Sequence, residues 1–207
     1  FLIVTIQQPE TPLQFIDRFL ASAEAYSVPV TIIFNKIDLI DEEWREYLDG
    51  VVNLYETIGY PCRKISATTG EGVEARRDEL KGRITLLSGN SGVGKSTLLN
   101  TLFPHLNLRT SEISDAYDTG KHTTTFSEMY EVEGGYIIST HYINGFGTFN
   151  MKKEEVSHYF KEIFHFSADC RFNNCTHTHE PHCAVREALE RHDIAESRYN
   201  SYLSMLE

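Results

Sequence analysis

The run Gly89-Asn90-Ser91-Gly92-Val93-Gly94-Lys95-Ser96 constrains the fold more than any other stretch of this chain. It matches G-x-x-x-x-G-K-[ST] and lies between an apolar run, Ile84–Ser88, and a helical pattern. The motif requires that setting. A strand delivers the chain to the loop, and glycines let the backbone curl so that successive N–H groups point inward. A helix N-terminus then adds positive potential. In this reading Gly89–Ser96, with Thr97 beside it, cradles the phosphates of a nucleotide. Lys95 reaches the β and γ phosphates, and Ser96 ligates Mg²⁺.

The flanking pattern extends the argument. Phe1–Ile6 is a short β-branched run and reads as a buried strand. Pro9 and Pro12 mark a turn, and Leu13, Ile16, Leu20 and Ala23 have helical spacing. Val30–Phe34 is a second strand. Asp41 is placed to cap a helix that carries Trp44, Leu48, Val51, Tyr55 and Ile58 on one stripe. Lys64–Ser66 ends a third strand, 72–81 is a short helix, and Ile84–Ser88 is the fourth strand. Strand and helix alternate four times, which predicts an α/β fold with a mainly parallel sheet and helices on both faces. Residues 107–125 are polar and without period, and read as a long loop. Strands follow at 126–133 and 135–139, joined at Gly134-Gly135. A second loop spans 140–150, and helices are expected near 152–164 and over 184–206. The stripe Val185, Leu189, Tyr199 and Leu203 reads as the packed side of the last helix.

Two further loops follow strand ends. Asn35-Lys36-Ile37-Asp38 comes directly after Val30–Phe34. A carboxylate such as Asp38 accepts two hydrogen bonds from guanine N1–H and N2–H₂, a donor pair that adenine lacks. Lys36 can lay its stem over the base, and Asn35 can tie neighbouring loops together. Ser66-Ala67 follows the third strand, where a backbone N–H would meet guanine O6. Three loops at the C-terminal ends of strands in one sheet make a nucleotide crevice. Asp38 argues against an ATPase. In ordinary GTPases the phosphate loop comes first, whereas here NKxD and SA precede it. The chain therefore resembles a circularly permuted GTPase, since termini can move between surface loops without changing the core.

Together with Gly120-Lys121-His122-Thr123-Thr124-Thr125, Asp17-Arg18-Phe19-Leu20 and a late Cys/His cluster, these motifs make the match specific. The chain resembles the small-subunit-dependent GTPases of the RsgA/YjeQ/EngC family over nearly its whole length. The resemblance implies a permuted GTPase domain at 1–149, a helical zinc-binding domain at 150–207, and a preceding OB-fold domain that this sequence lacks. It implies GTP and GDP as ligands, and action in late maturation of the small (30S) ribosomal subunit and its rRNA. It also makes 107–125 a switch loop. Thr123 or Thr124 would meet Mg²⁺ and the γ-phosphate, with Thr124 assigned to the metal. His122 would orient the attacking water. One departure is set against this. Where the family has Asp-x-Pro-Gly, this chain reads Ser139-Thr140-His141-Tyr142. Ser139 can hydrogen-bond a metal-bound water but brings no negative charge, and Tyr142 has a side chain where the family has Gly. A competing expectation is thus a GTP-gated ribosome-binding module with impaired hydrolysis.

Cys170-x4-Cys175-x-His177-x5-Cys183 supplies three thiolates and an imidazole, the set of a closed structural zinc site. His179 and His182 flank it, and the family pattern selects His177. Cys62 lies apart and reads as a core or strand-edge thiol. The remaining numbers are exclusions. The nonpolar content of 41% fits a globular chain, and four cysteines are too few for a disulfide scaffold. No apolar run reaches the ~20 residues of a membrane span. A net charge of -11 argues against a broad electrostatic grip on nucleic acid. The expected protein is a cytoplasmic monomer whose RNA contact is local.

Overall fold

A computed structural model describes residues 1–110, 127–140 and 151–207. The elements run β1 (Leu2–Val4), α1 (Leu13–Ala25), β2 (Ile32–Phe34), α2 (Glu42–Ile58), β3 (Cys62–Lys64), α3 (Glu74–Leu80), β4 (Ile84–Leu87) and α4 (Lys95–Leu102). They continue with β5 (Ser127–Val132), β6 (Gly135–Thr140), α5 (Lys161–Ser167), α6 (Ala184–Glu190) and α7 (Glu196–Ser204). By packing, these fall into two compact units, Phe1–Thr11 with Thr31–Asn144, and Pro12–Val30 with Gly145–Glu207.

In the first unit, β1, β2 and β3 pair in parallel, and so do β4 and β6. β5 runs antiparallel along β6. A parallel bridge between Leu2 and Ser88 joins the two sets, with Ile3 N–H donating to Ser88 O at 2.7 Å. The strand order is therefore β3-β2-β1-β4-β6-β5. The β-branched runs at β1 and β2 are buried throughout, as a parallel sheet requires. Ile3, Ile33, Leu87 and Ile137 point to one side of the sheet. They pack there with Val73 and Leu80 from the α3 region and Leu98, Leu99 and Leu102 from α4. The β5–β6 hairpin turns on Glu133 and Gly134, both at positive φ (43° and 77°). That pair suits the two-residue turn whose twist matches the strands. Gly135 is already in β6, where a Cβ would stand 2.2 Å from Arg83 O.

Several local expectations shift. Asp41 holds the N-cap position of α2, but its side chain makes no capping bond. Leu48, Val51 and Tyr55 of the expected stripe are buried, whereas Trp44 stands exposed. The helix expected near 152–164 is a 3-10 segment, Lys153–Tyr159, and then α5, because Phe160 is extended between them. The helix expected over 184–206 is two helices, α6 and α7, with His192 at φ 62° between them. A left-handed residue cannot continue a right-handed helix.

The larger shift is α1. It belongs to the second unit, so the division by packing does not follow a single cut at 149/150. Its Ala21 sits in the core formed by Val156, Phe160, Ile163, Val185, Ala188, Ile194, Tyr199 and Tyr202. Within its buried stripe lies a carboxylate, Asp17, fully shielded from solvent. Asp17 Oδ1 accepts from Arg198 Nη1 at 2.9 Å, and Oδ2 accepts from Ser201 Oγ at 2.6 Å. Arg198, 1% exposed, also donates to both oxygens of Glu162, at 2.6 and 3.0 Å, and lies over the Phe160 ring. One guanidinium thus ties α1, α5 and α7. Replacing Arg198 by Met should cost about 3–5 kcal/mol, because two shielded carboxylates lose their counter-charge. Urea unfolding followed by circular dichroism would measure it.

Candidate functional site: a phosphate loop, a base loop and a metal loop

The phosphate loop begins where β4 ends. Ser88 N–H donates to Phe1 O at 2.9 Å, fixing the strand end beside β1. Gly89 follows at φ 156°, and a Cβ there would stand 2.4 Å from Ile3 O. Val93, fully buried in the core, anchors the middle of the loop. Gly94 occupies the N-cap of α4 at φ 97°, and a Cβ there would stand 2.4 Å from Asn35 Nδ2. The glycines are thus required by close approach as well as by backbone conformation. Lys95 Nζ spans the loop, donating to Gly89 O at 2.6 Å and Asn90 O at 2.9 Å. Burial lowers its pKa to about 8. Ser96 and Thr97 are half-buried on the first turn of α4, and Ser91 and Gly92 are exposed at the loop rim.

Asn35 joins the three expected loops. It is 2% exposed, its Nδ2 donates to Val93 O at 2.8 Å, and its Oδ1 accepts from Ala67 N–H at 2.9 Å. The expectation that Asn35 ties loops together therefore matches the geometry. Of the backbone N–H groups in the Ser66-Ala67 run, that of Ala67 is the one bonded to Asn35. Ser66 is fully buried and works inside its own turn, with Oγ accepting from Thr69 N–H at 3.1 Å and N–H donating to Glu71 O at 2.9 Å. Asp38 is exposed in the 3-10 turn Ile37–Leu39, and Lys36 before it is left-handed at φ 62°. Burial lowers the Lys36 pKa, with Asp38 opposing the shift.

Some site residues escaped the sequence reading. Lys36 Nζ donates to Gln8 O at 2.5 Å, and a Cβ at Gly92 would meet the Pro9 ring at 3.5 Å. Thr101 Oγ1 donates to Ala67 O at 2.8 Å. The Gln8-Pro9 turn has only the signal of a turn; its partners are distant in sequence. Ser139 and Thr140 end β6, both buried, with Thr140 Oγ1 3.1 Å from Ser88 Oγ. His122, Thr123 and Thr124, and likewise His141 and Tyr142, lie outside the described residues.

In the second unit, the ligand atoms of Cys170, Cys175, His177 and Cys183 lie within 4.8 Å of one another. His177 Nδ1 stands 3.6 Å from Cys170 Sγ and 3.5 Å from Cys183 Sγ, and those sulfurs are 3.9 Å apart. Tetrahedral zinc with bonds of about 2.3 Å to sulfur and about 2.0–2.1 Å to nitrogen implies edges of roughly 3.6 and 3.8 Å. The donor set therefore fits zinc in chemistry and in size. It contains His177 rather than His182. The loop is held from outside as well. Tyr199 Oη donates to His177 O at 2.6 Å, and Tyr202 Oη donates to Thr176 O at 2.8 Å. Glu180 accepts from the N–H groups of Thr176, Thr178 and His179. Although burial opposes the shift, the Thr176 hydroxyl and the backbone N–H groups of Thr176, Glu180 and His179 hold the carboxyl well below the usual carboxylate range. Cys62 stands apart at the β3 edge, where burial pushes its thiol up to about 12.

A phosphate loop cross-linked to NKxD and SA loops that precede it in the chain defines a circularly permuted P-loop GTPase. One solved structure that the chain resembles is that of YloQ, a circularly permuted GTPase. It matches with a TM-score of 0.79 at 27% identity over 99% of this chain and 66% of that one. YjeQ from Thermotoga maritima matches with a TM-score of 0.80 at 38% identity, over 99% of this chain and 68% of that one. The sequence model of the RsgA GTPase matches residues 1–150, and the chain belongs to that family. The small ribosomal subunit biogenesis GTPase RsgA of Bacteroides fragilis is 64% identical over all 207 residues, which span 67% of its length. The same-named protein of Porphyromonas gingivalis is 58% identical, again over the whole chain and 67% of its own length.

The Lys95 environment gives a pH dependence with a definite sign. Phosphate favours the charged ammonium, and the ligand-free lysine loses its proton above about pH 8. GDP affinity should therefore fall about fourfold from pH 7 to 8.5. Titration with a fluorescent GDP analogue would show this, and Lys95→Met should flatten the dependence while weakening binding throughout.

Proposed function

We propose that this chain binds and hydrolyses GTP as a factor in late maturation of the small (30S) ribosomal subunit, in the cytoplasm. The observation that carries the nucleotide reading is Asn35, which bonds the phosphate loop and the Ser66-Ala67 loop from the first position of NKxD. The names of the relatives support the ribosomal role. In this proposal 1–149 is the GTPase domain and 150–207 the zinc-binding domain, and the chain acts as a monomer. No helix among the described residues is long and apolar enough to cross a membrane.

Gly89–Ser96 and Thr97 surround the phosphates with backbone N–H groups at the start of α4. Lys95 leaves the Gly89 and Asn90 carbonyls to neutralise charge on the β and γ phosphates. Ser96, with Thr124, holds Mg²⁺, which would supply further charge neutralisation when bound. Asp38 reads guanine from the rim of the crevice, and Lys36 supports the base. Thr123 and Thr124 are assigned to the γ-phosphate, and His122 to orienting water for in-line attack. Because phosphoryl transfer needs little covalent help, such positioning and electrostatics constitute most of the catalysis. Cys170, Cys175, His177 and Cys183 hold one structural Zn²⁺; four protein ligands leave no open position, so the metal folds its loop. With net charge -11, contact with rRNA is confined to local surfaces.

Single-turnover GTP hydrolysis, with and without small ribosomal subunits, tests the enzyme reading. The expected result is acceleration by subunits. Tight GTP binding with no turnover in either condition would favour a nucleotide-gated binding module. Asp38→Asn should shift preference from GDP toward XDP, and an unchanged preference would remove Asp38 from the base site. For the metal, one zinc per chain is expected by elemental analysis. Chelation should then melt the 170–183 loop, which hydrogen exchange would report as lost protection around Tyr199 and Tyr202.

A further inference from the structure

The turn that follows β1 is built into the nucleotide site, although no motif announces it. Gln8, Pro9 and Glu10 are exposed, so the turn has no burial of its own to hold it. It is held from below by two shielded threonines, Thr5 (1% exposed) and Thr11 (5%). Thr5 Oγ1 donates to Pro9 O. Thr5 N–H donates to Thr11 Oγ1 at 3.2 Å, and Thr11 N–H returns to Thr5 O at 2.9 Å. The turn so fixed presents Gln8 O to the Lys36 ammonium at 2.5 Å and sets the Pro9 ring beside Gly92 of the phosphate loop. Gln8 and Lys36 are both non-glycine residues at positive φ, 55° and 62°. Such conformations persist where surrounding contacts over-determine them.

We propose that Thr5 is a positioning residue for nucleotide binding: through Pro9 and Gln8 it fixes the Lys36 ammonium, so that the lysine stem forms a pre-set platform for the base. The inference rests on the reading of Lys36 as the base support. A flexible lysine stem loses rotamer freedom when a base settles on it. Anchoring the far end of the side chain on Gln8 O removes part of that cost before the nucleotide arrives. The anchor is useful only if Gln8 O stays in place, and the Thr5 hydroxyl is what holds the turn. Thr5 itself need not touch the ligand.

The test is a double-mutant cycle read in GDP dissociation constants. Thr5→Val keeps the shape of the side chain and removes the donor to Pro9 O, and should weaken GDP binding about fivefold. Thr5→Ser retains the hydroxyl and should bind like the parent chain. In a Lys36→Met background, where the link to Gln8 O is already gone, Thr5→Val should change affinity by less than twofold. Thermal melting of the nucleotide-free proteins checks folding. If Thr5→Val does not fold, Thr11→Val serves the same cycle from the other side of the brace. Unchanged GDP affinity in the folded variants would overturn the proposal. So would full additivity with Lys36→Met, since a merely structural Thr5 acts independently of that lysine. The Asp38→Asn shift toward XDP is read separately, so failure of the brace is distinguishable from failure of the base site.

Discussion

A single side-chain amide holds the nucleotide crevice together. Asn35 lies at the end of β2, and its two polar atoms are spent on backbone groups from two other loops: Val93 O in the phosphate loop and Ala67 N–H after β3. All three groups are shielded from water, so each bond carries the cost of leaving its partner unsatisfied if broken. The close packing of Gly94 against the same amide leaves no room for a side chain there. The glycine pattern of the phosphate loop therefore answers to Asn35 as much as to phosphate. Chain order is irrelevant to this arrangement. Parallel strands bring their C-terminal ends to one edge whatever the sequence of their connection, which is why a permuted chain can assemble the same crevice.

How much of this was legible in the sequence depends on the range of the interaction. Gly89–Ser96, Asn35 and the cysteines are local patterns whose chemistry requires neighbours at fixed spacing, and each falls where its pattern placed it. The choice of His177 over His182 was carried by family resemblance, and the sulfur–nitrogen distances agree with it. The break between α6 and α7 was missed because the apolar stripe continues across it. Nothing in hydrophobic periodicity reports one left-handed residue such as His192. The bond between Ala67 N–H and Asn35 leaves no local pattern, because the partners are 32 positions apart. The brace at Thr5 left no pattern either, since it works through main-chain oxygens that any residue would supply.

The metal loop shows a different division of labour. Its four candidate ligands come from a 14-residue stretch, yet its conformation is also supported by Glu180 and by the hydroxyls of Tyr199 and Tyr202 on α7. Outer groups of this kind orient first ligands and limit the disorder that metal binding must overcome. The core of the second unit, the metal loop and the Arg198 network share α7, so the three are parts of one cooperative structure.

That structure includes α1, and the chain therefore passes from one packing unit to the other three times. A fragment ending near residue 150 would keep every nucleotide motif and still be damaged. It would retain Asp17 on α1 but lose both Arg198 and Ser201, exposing a helix designed for burial and stranding its carboxylate. Dissection at the family boundary thus separates the motifs cleanly and the folding units badly. The segment Pro12–Val30 thus commits the first 150 residues to partners that lie beyond them.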